Sequence, residues 1–123
     1  MRFKMITKYL EEEIMNNSND DQLLIDQLED LTYGNWDFLI LEPQENINEI
    51  QYLQTAFDSN NGEFYIELRI GNNEKWKHYQ YITNSKEIII SIFSDFFNLI
   101  KIPDFLKWSD ITDEELQTNR CVL

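Results

Sequence analysis

His78 is the only histidine in this chain and Cys121 the only cysteine. With the carboxylates, they bound the chemistry that its side chains could perform. An imidazole titrates near neutral pH and could act as a base. No Ser or Cys nucleophile shares a motif with His78, and one histidine cannot build a multi-histidine metal site. Its neighbours Lys77 and Tyr79 favour a polar strand residue instead. Cys121 has only Arg120 as a basic neighbour, which gives no sign of a reactive thiol. A single cysteine allows no internal disulfide and fits a reducing compartment. Glu63 and Glu67 share one face of an alternating segment, and Asp113, Glu114 and Glu115 follow near the end. Such carboxylates could run acid–base chemistry or hold a cation. No Gly-bearing acidic loop of the EF-hand kind accompanies them, so a solvated charged face is expected. No catalytic group, cofactor or metal is expected.

Charge points elsewhere. The 123 residues carry a formal net charge of −13, and the isoelectric point is about 4.2. Direct nucleic-acid binding needs clustered Lys and Arg, and so does an anionic membrane surface. Both are excluded on this balance. Hydrophobic residues make up 42% and aromatic residues 14%, enough to fold a core. The length fits a single domain over residues 1–123. Lys8 and the run from Glu11 to Glu13 interrupt the N-terminal apolar residues, so neither a signal peptide nor a membrane span is expected. A cytoplasmic protein is the default.

The elements that would carry these residues follow from periodicity. Met5, Ile6, Tyr9, Leu10 and Ile14 recur at helical spacing and predict a first helix. Asn16 to Asn19 break it, and Asn19 or Asp20 can cap a second helix bearing Leu24, Leu28 and Leu31. Four strands follow: Trp36 to Leu41, Ile50 to Phe57, Glu63 to Ile70 and Trp76 to Thr83. In the third, Phe64, Ile66, Leu68 and Ile70 alternate against Glu63, Tyr65, Glu67 and Arg69. Asn84 with Glu87 resembles a capping box for a helix whose stripe is Ile89, Phe93, Phe96 and Ile100, ended by Pro103. Its apolar arc is broad enough for deep burial against the sheet or for a dimer contact. Asp110 to Leu116 reads as a short last helix. The expected fold is α+β: a four-stranded antiparallel meander with N-terminal and C-terminal helices mainly on one face.

Two surfaces of this fold could recognise a partner. The stretch from Glu11 to Asp30 holds eight acidic residues and no Lys or Arg. Its second helix offers Asp20, Asp21, Asp26, Glu29 and Asp30 to a protein with a basic surface, where charge speeds encounter and sets specificity. The basic cleft of a nuclease is one such surface, with carboxylates standing where phosphates would lie. The outward face of the last hairpin is expected to carry Tyr65, Glu67, Tyr79 and Tyr81. Tyrosine is enriched at binding hot spots, although cross-strand aromatic pairs also stabilise sheets by about 0.2–1 kcal/mol each.

The order Asp37-Phe38-Leu39-Ile40-Leu41, Tyr52-Leu53-Gln54-Thr55-Ala56, Gly62-Glu63-Phe64-Tyr65-Ile66-Glu67-Leu68-Arg69, then His78-Tyr79, a helix and Trp108 carries a likeness. Over roughly residues 36–108 the chain resembles small bacterial immunity proteins of polymorphic toxin systems. The resemblance implies a small cytoplasmic α+β protein that binds and blocks one cognate toxin, and it transfers no binding residue by motif. An acidic interaction module or nucleic-acid mimic that binds a host nucleic-acid enzyme is the second reading. An enzyme using Glu63 or Glu67 with His78 is the third, and it requires those groups to converge in a pocket.

Overall fold

The computed structural model describes residues 3–9, 12–16, 21–34 and 37–113, with backbone alone at 8–9 and 12–16. The chain is α+β, with an antiparallel sheet and, among the described residues, two full helices. The strands are β1 (Phe3–Tyr9), β2 (Glu12–Asn16), β3 (Phe38–Pro43), β4 (Ile50–Asp58), β5 (Glu63–Gly71), β6 (Trp76–Thr83) and a two-residue β7 (Ser109–Asp110). The helices are α1 (Asp21–Thr32) and α2 (Lys86–Phe97). Sheet order is β2-β1-β3-β4-β5-β6-β7, so six full strands stand where four were expected.

The two additional full strands correct the expected first helix. Met5 and Ile6 lie in β1, whose residues Phe3 and Met5 enter the main core. Ile6 points to the opposite side of the sheet, where it joins Ile40 and Tyr52. A strand buried on both faces loses its alternation, and its apolar positions then mimic helical spacing. Aromatic and β-branched residues at Phe3, Ile6, Thr7, Tyr9 and Ile14 were the opposing signal. Because β3 pairs with β1 rather than β2, α1 serves as the crossover between the parallel strands β2 and β3.

The central meander follows the alternation of the sequence. Leu39, Leu41, Leu53, Phe64, Ile66 and Leu68 are buried in one cluster with Leu24, Leu28 and Leu31 of α1 and Ile89, Phe93, Phe96 and Phe97 of α2. α1 touches β3, β4 and α2, whereas α2 touches β5. Ser85, rather than Asn84, caps α2: its hydroxyl accepts the Ile88 N–H at 3.3 Å. α2 stops at Phe97, well before Pro103. A short 3-10 turn, η1 (Phe105–Lys107), then crosses β6. Asp110 belongs to β7, so the helix expected to begin there starts later, with Thr112 and Asp113 already helical. That helix's residues 114–116 lie outside the described residues, as does Cys121.

Candidate partner-binding surface

β5 and β6 bring the acid–base candidates together on the sheet face opposite the main core. Arg69 pairs with His78 and Glu67 with Gln80, while Gln54 of β4 lies on the other side of Glu67. His78 Nε2 stands 3.8 Å from Glu67 Oε2. The side-chain amides of Gln54 and Gln80 donate to the Glu67 carboxylate at 3.4 and 3.3 Å. Tyr52 and Trp76 set their rings at steep angles to His78 at 6.0 and 6.4 Å, and the Arg69 guanidinium lies 4.1 Å from the centre of the Trp76 ring.

Glu67 and His78 therefore converge, but Glu63 does not join them, since it sits at the far end of β5 opposite Asp58. His78 is 1% exposed and Glu67 8%. Their 3.8 Å separation exceeds a hydrogen bond, and His78 Nε2 has no hydrogen-bond partner among the described residues. Neither His78 nor Glu67 lines the two grooves described below. Carboxylate, amides and rings form a polar brace within the sheet. Among the described residues, no group of His, Cys, Asp and Glu could hold a metal ion.

The tyrosines need a correction. Tyr79 pairs with Leu68 and Tyr81 with Ile66, so both point to the core side and away from Tyr65 and Glu67. Tyr79 is 9% exposed and packs on Phe105 at 5.2 Å. Tyr81 stacks on Trp108 at 5.8 Å. The physical reason is register. Gly71 pairs with Trp76, so the loop length assigns odd positions of β6 to the face of the even positions of β5. Tyr65 remains on the other face, half-buried, and its hydroxyl accepts the Asn61 amide at 3.3 Å. The surface expected from Tyr65, Glu67, Tyr79 and Tyr81 does not exist as one patch.

α1 separates its acids by role. Asp21 is half-buried, and its carboxylate accepts Ser94 Oγ and Asn98 Nδ2, each at 2.9 Å. It clamps the first turn of α1 to the last turn of α2 and is committed to the fold. Asp26 and Glu29 are exposed, and Asp30 is half-buried, opposite the buried Leu24, Leu28 and Leu31. Asp26 accepts the Gln22 amide at 2.9 Å. Asp20 lies outside the described residues. No Lys or Arg occurs between Lys8 and Arg69, and no Lys or Arg among the described residues lies within 4.0 Å of the Asp26 or Glu29 carboxylate, whereas Glu49 shares a groove with Lys75 and Lys77.

A second surface lies where the broad apolar arc of the last long helix allowed a dimer contact, although that helix ends before Ile100. Leu99, Ile100 and Leu106 are exposed between α2 and β7. Their signal was the run of apolar residues continuing past Asn98, which reads as more helix until the helix is seen to stop at Phe97. No helix among the described residues is long and apolar enough to cross a membrane. No family model, curated protein or solved structure matches the chain.

Proposed function

We propose that this chain is an immunity protein of the cytoplasm that binds a cognate bacterial toxin with a basic surface and occludes it. No bond is made or broken by the chain itself. The observation that carries the reading is the basic-free stretch between Lys8 and Arg69, from which Asp26 and Glu29 stand exposed on α1. Carboxylates arranged without nearby cations raise the rate of encounter with a basic partner and repel acidic ones. A toxin whose active cleft holds phosphates, a nuclease, has the matching charge. The resemblance of residues 36–108 to immunity proteins agrees with this class of partner. Burial of His78 and Glu67 argues against use of that pair on a substrate.

Co-expression with the toxin domain encoded by the neighbouring reading frame tests the proposal. Restored growth and a stoichiometric complex are expected. Folded protein that neither protects nor binds would remove the reading. The same acidic surface favours one alternative, an acidic module or nucleic-acid mimic that binds a host nucleic-acid enzyme. Capture of such an enzyme from cells that lack the toxin would select it.

A further inference from the structure

Helix α2 ends in an unusual way. Asn98 is its C-cap, the Leu99 N–H donates to Phe96 O at 3.1 Å, and the Ile100 N–H to Asp95 O at 2.8 Å. These are the two bonds of a Schellman motif, which ordinarily places glycine at the left-handed position and folds the next apolar residue back on the helix. Here Leu99 holds that position at φ 57°, a conformation that costs a residue with a Cβ about 1–2 kcal/mol. Ile100, the residue that would fold back, is 73% exposed, and Leu99 is 49% exposed. The result is an apolar knob that no packing among the described residues explains.

Concave surface adjoins the knob. One groove of about 330 Å³ lies between α2 and η1, lined by Tyr81, Ile88, Ile92, Ile102 and Trp108. Another of about 300 Å³ runs beside the knob against Ile47, Phe96 and Ile102. Charge at the first groove is balanced: Lys101 and Lys107 line it together with Asp95 and Asp104. Lys107 pairs with Asp104 at 3.2 Å, and no carboxylate lies within 4.0 Å of Lys101 among the described residues.

We infer that this patch is a two-fold interface between two copies of the chain, with the Leu99–Ile100 knob of one seated in the groove of the other. An interface of this symmetry needs one surface that fits itself, and a knob beside a groove meets that condition. Charge selects the occupant. Two molecules of net charge −13 repel wherever their acidic faces meet. They can approach where Lys and Asp are equal in number. No residue of α1 lines either groove, and the exposed acids Asp26 and Glu29 are not part of this patch, so the inference stands or falls separately from the proposed toxin binding.

Sedimentation of the full chain from about 10 µM to about 1 mM, at low and at high salt, tests it. A monomer–dimer equilibrium is expected, and added salt should tighten it by screening the net repulsion. Ile100→Glu should raise the dimer Kd by at least about tenfold. Leu99→Gly should weaken the dimer while leaving the melting temperature equal or higher, because glycine accepts the positive φ. A merely structural role for Leu99 would not part these two readings. A monomer throughout would overturn the inference. A dimer indifferent to Ile100→Glu would overturn it equally.

Discussion

The outer side of α1 and the connector after α2 meet water differently. On α1 the exposed side chains are Gln22, Asp26 and Glu29, with the leucines turned inward. On the connector, Leu99, Ile100 and Leu106 face outward among lysines and aspartates in balance. The first surface acts at a distance, is weakened by salt and keeps copies apart. The second acts only on contact, gains from salt and draws its energy from area removed from water.

The largest effect should come from the support both regions share. Phe93 is fully buried in α2 and holds the helix to the sheet. Phe93→Ala should cost about 3–5 kcal/mol in urea unfolding, and both surfaces should fail with it. A loss well under 1 kcal/mol would show that the two surfaces are anchored independently. Next comes the contrast inside α1. Asp21→Ala removes the acceptor shared by Ser94 and Asn98, and should cost about 1–3 kcal/mol. Asp26→Ala should stay within about 0.5 kcal/mol. Equal costs would erase the division between structural and exposed acids.

Charge reversal at Asp26 and Glu29 should leave stability within about 1 kcal/mol and slow association with a basic partner by about tenfold at low salt. Stopped-flow rates across a salt series check this. A rate that keeps its salt dependence would place the steering charge elsewhere. The smallest effect belongs to the strap at β7. Hydrogen bonds from the Thr112 side chain and backbone N–H, with lesser help from Lys77, lower the Asp110 pKa below its ordinary 3.8. Its carboxylate therefore favours the folded state above that value, and the contribution fades as pH falls through the lowered one. Asp110→Asn should weaken protection of the backbone amides at His78 and Ile111 near neutral pH, and the difference from wild type should shrink in acid. Hydrogen exchange reads it directly.

Much of the core was legible in the residues. Leu24, Leu28 and Leu31 announce one face of α1, and β5 alternates as its residues require. The N-terminal hairpin was not legible, because Ile6 and Met5 are buried on opposite sides and adjacent apolar residues conceal a period of two. The binding surface was only partly legible. Acidity could be counted along α1, but nothing local distinguishes Asp21, which α2 claims, from Asp26, which water keeps.

Periodicity and composition by themselves determined an α+β chain, an acidic surface and most of the buried positions, since these depend on neighbours within a few residues. The tertiary structure alone decided which face carries Tyr79 and Tyr81, that Glu67 and His78 meet, and that Leu99 and Ile100 protrude. Those facts depend on strand register and on where a helix stops. Both are settled by partners distant in the chain, through hydrogen bonds and packing that no local window contains.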